Sequence, residues 1–126
     1  MDKVNTKKVL IVEDDKDFVW LLREGFEGQG LTVLYAQTGE EGLAMAQKEN
    51  PDLLIIDILL PGISGIAMAR KIQSKGLKPL MIFLTNLKDE THISDAIEIS
   101  GQADYMIKSD VSITDIVARA KSKLGV

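Results

Sequence analysis

The chain has 126 residues, room for one ordinary domain, and its 45% apolar content is enough to build a core. A formal net charge of −4 argues against nucleic acid as the main partner, because binding phosphates needs a basic face. The absence of cysteine excludes disulfides and thiolate metal sites. No apolar run has the length of a membrane span: the most apolar stretch, Leu53 to Leu60, is broken by Asp57 and followed by Pro61. Lys3, Lys7 and Lys8 precede only the short run Val9 to Val12, too little for a secretion signal, so a soluble cytoplasmic protein without membrane insertion is expected.

Along the chain, short apolar runs alternate with amphipathic stretches. The first strand is expected at Val9–Val12, followed directly by Glu13, Asp14 and Asp15. A helix running from Asp17 places Phe18, Leu21, Leu22 and Phe26 on one face, points Trp20 away, and stops at Gly28 and Gly30. The second strand, Thr32–Ala36, ends in Gln37-Thr38 with no charged group. Thr38 and Glu41 then open the next helix as a capping box, and Asn50-Pro51 closes it. The third strand, Leu53–Ile56, is closed by Asp57, and the helix after it stops at Gly76. The fourth strand, Leu80–Leu84, is closed by Thr85. A fourth helix follows with an Ile93–Ala96–Ile97 stripe, His92 near its start, Ile99 off the stripe and Gly101 as its stop. The fifth strand, Tyr105–Ile107, is closed by Lys108. Ser112 with Asp115 opens the last helix, whose apolar stripe is Ile113, Ile116, Val117 and Ala120.

Continuous apolar runs suit strands buried on both faces, and strand–helix alternation with short connections makes the sheet parallel with helices on both sides. The expected class is α/β: a (βα)5 doubly wound parallel five-stranded sheet of order 2-1-3-4-5. It forms a single domain over residues 1–126, with a core from about 8 to 124 and no output domain. In such a sheet ligands bind outside the carboxyl ends of the strands, where the strand order reverses. Glu13, Asp14, Asp57, Thr85 and Lys108 all stand at such ends.

Three acids in one crevice repel one another unless a cation is present, and carboxylates suit a hard ion such as Mg2+. Three negative charges against Mg2+ and Lys108 sum to about zero. Such a site could polarise an incoming phosphoryl group while Asp57 attacks it, with Thr85 and Lys108 binding the phosphoryl oxygens. Plainer readings exist for each residue: Glu13, Asp14 and Asp15 as cap and dipole partners of the first helix, Thr85 as ordinary strand chemistry, Lys108 as a surface charge, Tyr105 as a fixed core aromatic. Joint placement at four strand ends favours the site.

These motifs resemble the response-regulator receiver family, whose fold is flavodoxin-like, over about Lys8 to Leu124. Val9-Leu-Ile-Val-Glu-Asp-Asp is similar to that family's first strand and acidic cluster, Asp57-Ile-Leu-Leu-Pro-Gly-Ile-Ser-Gly to its phosphoacceptor loop, Phe83-Leu-Thr85 to its switch strand, and Tyr105-Met-Ile-Lys108 to its switch aromatic and lysine. The resemblance implies that Asp57 is the phosphoacceptor, with catalytic help from Lys108 and Thr85. It implies that Asp14 touches Mg2+ directly, that Glu13 acts through water, and that the Leu59 backbone carbonyl is a further ligand beside Asp57. Thr85 and Tyr105 form the switch. The implied donor is a phosphohistidine of a sensor histidine kinase or histidine phosphotransfer protein. The implied output is protein contact or onward phosphotransfer through the face of the fourth helix, fifth strand and fifth helix, from a monomer or a phosphorylation-dependent dimer.

Two positions depart from the family pattern. Asn86 stands where a small residue is usual, which predicts slow self-phosphorylation from small donors. Ser109 stands where proline is usual, and since a non-proline cis bond costs about 3 kcal/mol, Lys108-Ser109 is expected trans with a remodelled loop. Among rivals, an aspartate-nucleophile phosphatase wants a second acid where Leu59 stands. A flavin carrier wants a hydroxyl- and glycine-rich loop where Glu13, Asp14 and Asp15 stand. The third rival is a degenerate receiver that binds partners without phosphorylation. His92 receives no role, and Trp20 or Ile99 could mark a partner or self-association surface.

Overall fold

A computed structural model of the protein describes residues 6–86, Glu98 and 104–126. Five strands form one parallel sheet in the order 2-1-3-4-5: β1 (Lys8–Val12), β2 (Thr32–Ala36), β3 (Leu53–Asp57), β4 (Leu80–Thr85) and β5 (Tyr105–Ile107). Helices α1 (Lys16–Glu27), α2 (Gly39–Glu49), α3 (Gly65–Ser74) and a C-terminal helix (Ile113–Leu124) cover its two faces, giving the doubly wound, flavodoxin-like architecture. The stretch read as the fourth helix, with His92, Ile99 and Gly101, lies outside the described residues. Among the described residues no helix is long and apolar enough to cross a membrane.

The period-two geometry of strands sorts the core into two layers. Leu10, Val12, Leu54, Ile56, Met81 and Phe83 pack under α2 and α3, where they meet Met68 and Ile72. Val9, Ile11, Leu53, Ile55, Ile82 and Leu84 point the other way, onto Leu22 and Phe26 of α1 and Ile116 and Ala120 of the C-terminal helix. Burying both faces is why β1 and β3 read as unbroken apolar runs. The Asp52 side chain and backbone hold the other end of the sheet in register. It accepts from the Lys8 N–H at 2.8 Å, donates to the Lys8 carbonyl at 2.9 Å and accepts from the Leu80 N–H at 3.0 Å.

β2 is the edge strand expected from the order 2-1-3-4-5, paired with a neighbour on one side only, and Tyr35 is 44% exposed although its run is apolar. One expectation about the first helix needs correction. On α1 the buried stripe is Val19, Leu22 and Phe26, whereas Leu21 is 45% exposed and Phe18 half-buried. The face is centred on the three-and-four spacing through Leu22, which turns Leu21 to its solvent edge. Trp20, at 55% exposed, points away as expected.

Helix ends follow local chemistry. Thr38 Oγ1 accepts from the Glu41 N–H at 3.1 Å, and Asn50 stops α2 in the left-handed region at φ 47°. Ser112 and Asp115 form a complete reciprocal capping box at the C-terminal helix. That helix is clamped to the start of β5 by Asp104, which accepts from Arg119 at 2.9 Å and from Lys123.

Burial alone would raise the Asp104 carboxyl, but the hydrogen bonds from Lys123 and Arg119 outweigh it and hold the group below the usual carboxylate range. A depressed native value contributes stability that is present above the unfolded carboxylate pKa, about 3.9, and is lost as pH falls through the native value. Asp104→Asn is therefore expected to flatten the acid side of the stability profile, read as urea midpoints between about pH 5 and pH 2.

Candidate functional site

The last residues of the central strands make the site. β1 delivers Glu13, whose N–H still donates to the Ala36 carbonyl at 3.0 Å, so the acid stays rigidly in the sheet's extension. β3 delivers Asp57, with Leu84 of β4 as its register partner, and β4 ends one residue later on the fully buried Thr85. β5 pairs Ile107 with Thr85 and releases Lys108 immediately beyond.

The Lys108 ammonium joins the two buried acids. It donates to Glu13 Oε1 and, at 3.1 Å, to Asp57 Oδ2. Glu13 is 1% exposed and Asp57 6% exposed. Asp57 Oδ1 is held from the other side by the Leu59 N–H at 3.0 Å, a turn in which the aspartate side chain bonds the backbone two residues on. Carboxylate oxygens of Glu13, Asp14 and Asp57 lie within 4.8 Å of one another, Asp14 being the exposed member. Asp15 does something else. Its carboxylate caps α1, accepting from the N–H groups of Asp17 at 3.1 Å and Phe18 at 3.2 Å, while its own N–H donates to Glu13 Oε2 at 3.0 Å. The capping reading therefore applies to the third acid and leaves the first two for the site.

Burial pushes the Glu13 carboxyl up to about 7; Lys108 and the Asp15 N–H pull it down, and the charge of Asp57 adds to the rise. Burial works against the Lys108 ammonium, but the hydrogen bond to Glu13 and the charges of Asp57 and Glu13 outweigh it and hold Lys108 above the ordinary lysine value. Among the described residues, one ammonium facing three carboxylates leaves an excess of negative charge in a largely desolvated crevice. An all-oxygen donor set with that excess fits a hard divalent cation such as Mg2+, which takes few protein ligands and keeps several waters.

The remaining expected residues sit close by in the fold. Leu59 is 46% exposed beside Asp57. Tyr105 is half-buried and packs against the layer under α2 and α3, the opposite layer from α1. Asn86 is exposed just past Thr85. Ser109 lies in a short 3-10 turn, Lys108–Asp110, and among the described residues no peptide bond is cis. A cavity of about 140 Å³ between α1 and β2 reaches Glu13 and is walled by Trp20, Arg23 and Tyr35, with the Arg23 guanidinium 5.8 Å from the Tyr35 ring centroid. Another cavity, about 360 Å³, surrounds Leu77 to Met81 at the amino end of β4, away from the acids.

Two contributors were not legible as such. Phe18, read only as a core residue of α1, lays its ring over Lys108. Gly65, read only as the end of a motif, passes so close to the end of β3 that a Cβ there would lie 2.2 Å from the Asp57 carbonyl oxygen and 2.7 Å from Ile56 Cγ2. Its N–H donates to the Ile58 carbonyl at 3.0 Å, folding the Leu59–Ser64 loop back onto β3.

The sequence model of the response regulator receiver domain matches residues 9–121. The chain is 35% identical over 118 residues to the alkaline phosphatase synthesis transcriptional regulatory protein PhoP of Bacillus subtilis, covering 94% of this chain and 48% of that protein. It is 33% identical over 124 residues to the transcriptional regulatory protein ResD of the same organism, covering 98% and 50%. The chain thus spans about half the length of these curated relatives. Among solved structures, a CheY-like response regulator receiver domain protein from Methanospirillum hungatei superposes with a TM-score of 0.88 at 26% identity, covering 96% of this chain and 95% of that one. The BeF3-activated N-terminal receiver domain of Klebsiella pneumoniae RstA gives 0.80 at 26% identity, covering 91% and 96%.

Gly65→Ala is expected to cost about 1–3 kcal/mol, because its methyl group meets backbone that cannot yield without moving Asp57. Urea denaturation measures this, and an unchanged midpoint would mean the loop does not pack against β3.

Proposed function

The chain belongs to the response regulator receiver domain family, and from that premise we propose that it is a switch that takes a phosphoryl group onto Asp57 in a Mg2+-dependent reaction. Receiver domains are phosphoaccepting signalling domains of two-component systems rather than a class of enzyme, and the family works with histidine kinases or phosphotransfer proteins. The observation that carries the reading is the Lys108 ammonium bonded to both Glu13 and Asp57, with Asp14 completing the acid cluster.

In this reading an Asp57 carboxylate oxygen attacks the phosphorus of a phosphohistidine on the donor protein. The P–N bond breaks, its electron pair returns to the imidazole, and an acyl phosphate remains on Asp57. Asp14, Asp57 and the Leu59 carbonyl would hold Mg2+, with Glu13 acting through water, and the ion when bound would supply positive charge to the phosphoryl oxygens. Lys108 exchanges carboxylate contacts for a phosphoryl oxygen, a charge-assisted hydrogen bond that an ammonium makes readily. The Thr85 hydroxyl donates to another phosphoryl oxygen, and Tyr105 turns into the space this opens. The shift biases a two-state equilibrium of the surface around β5 and the C-terminal helix. Output is by protein contact or onward phosphotransfer, in the cytoplasm with its donor, and water attack on the acyl phosphate resets the switch.

Intact mass after incubation with acetyl phosphate and Mg2+ tests the reading. A single phosphoryl adduct is expected on the wild type, absent from Asp57→Ala and abolished by chelation. Adduct formation is expected to be faster from a phosphorylated histidine donor than from acetyl phosphate, because the Asn86 side chain narrows access. Absence of an adduct from either donor would sink the phosphoacceptor reading.

A further inference from the structure

Phe18 stands in the first turn of α1 with its ring over the Lys108 ammonium, the nitrogen 4.7 Å from the ring centroid. This lies inside the roughly 6 Å range in which a cation is drawn to the negative face of an aromatic ring. The contact closes a circuit. Glu13 accepts from Lys108 and from the Asp15 N–H, Asp15 caps the Phe18 N–H, and the Phe18 ring returns to Lys108. The backbone of Phe18 is therefore fixed through one intervening residue to the acid that binds the same ammonium.

An ammonium has three donors, and here two go to Glu13 and Asp57 while the ring covers another side. We propose that Phe18 is a positioning residue for the phosphoacceptor site. Its ring face holds Lys108 against Glu13 and Asp57 before transfer and keeps it beside Asp57 as the phosphoryl group arrives. This rests on the phosphoacceptor reading of Asp57.

The chemistry of a ring suits that task better than a further acid. A carboxylate in the place of Phe18 would add negative charge to a crevice that already has an excess, and would compete for Lys108 through a directional bond. Attraction to a ring face is broad, so the nitrogen can slide from Glu13 toward a phosphoryl oxygen without losing the contact. The half-buried ring also shields one side of the ammonium from water, which strengthens its remaining charged contacts.

Ring electronics separate this role from simple packing. Phenylalanines with one, two and three ring fluorines at position 18 keep the shape and progressively weaken the attraction. A small donor, acetyl phosphate with Mg2+, removes any effect of Phe18 on docking a partner protein. The rate of adduct formation is expected to fall stepwise along the fluorine series at constant melting temperature. Phe18→Leu is expected to be slower by about twofold to thirtyfold, and Phe18→Tyr to retain the rate. In the unphosphorylated protein the ring current should move the Lys108 ε-methylene protons upfield, a shift lost in Phe18→Leu and kept in Phe18→Tyr. A wild type that takes up phosphoryl at a rate unchanged by fluorination overturns the role of Phe18 and leaves the phosphoacceptor reading standing. A wild type without the upfield shift overturns it likewise. A wild type that takes no phosphoryl from acetyl phosphate or a phosphohistidine donor overturns both.

Discussion

The site depends on one cation placed between two buried carboxylates. Glu13 and Asp57 end neighbouring strands, and without Lys108 they would face each other as like charges in a dry crevice. Breaking a buried ion pair by removing one member costs several kcal/mol, typically about 3–5, because the other charge is left uncompensated. The fold spends much of its regularity on this arrangement. β1, β3 and β4 are bonded in strict register, β5 adds only three residues, and the lysine emerges immediately at its end. A one-residue slip of β5 would turn Lys108 to the other face of the sheet and leave the two acids unpaired.

That dependence on period two also divides the functional residues. Asp57 follows Leu53 and Ile55 in parity, and those point toward α1 and the C-terminal helix. Glu13 continues the parity of Val9 and Ile11, and Lys108 that of Met106, so all three open on the α1 side, where Phe18 waits. Thr85 has the parity of Met81 and Phe83, and Tyr105 packs with those residues in the opposite layer. Thr85, proposed to meet the phosphoryl group, and Tyr105, proposed to report it, thus have the opposite parity from Asp57 and Lys108. They are joined by backbone pairing, Thr85 to Ile107 and Phe83 to Tyr105. Chemistry on one face can reach the other without a dedicated linkage.

Most of this was legible because it follows from burial and periodicity. Strands covered on both faces must be apolar throughout, so a charged residue closing such a run stands out, and the ends of the first, third, fourth and fifth runs named the acids, the hydroxyl and the lysine. The exposure of Tyr35 shows the limit: the expected order already put β2 at the edge, but the composition of Thr32–Ala36 does not say which of its side chains faces solvent. Leu21 was misplaced for a related reason. A helix with apolar residues at 18, 19, 21, 22 and 26 admits two neighbouring faces, and packing against β1 and the C-terminal helix selects the one through Val19. The division of labour among Glu13, Asp14 and Asp15 was not legible, since any of them could cap a helix. The choice depends on which carboxylate the backbone turns toward the Phe18 N–H. The Phe18–Lys108 contact joins residues ninety positions apart and leaves no local trace.

The charge balance explains why such a site can switch at all. With Lys108 shared between Glu13 and Asp57, neither carboxylate is fully neutralised, and the value of about 7 for Glu13 reflects burial beside another anion. In the proposed function, an arriving phosphoryl group would add charge and acceptor oxygens at Asp57, and the most favourable place for the Lys108 ammonium would move away from Glu13. Lys108 is not free to follow alone. It opens the turn Lys108–Asp110, only Val111 separates that turn from the Ser112 cap, and the helix after the cap is clamped to β5 through Asp104. A displacement of the lysine in the proposed switch would therefore reach the C-terminal helix within a few residues. Ser109 does not weaken that path, because the turn is made with ordinary trans bonds and its geometry is set by the strand before it and the cap after it.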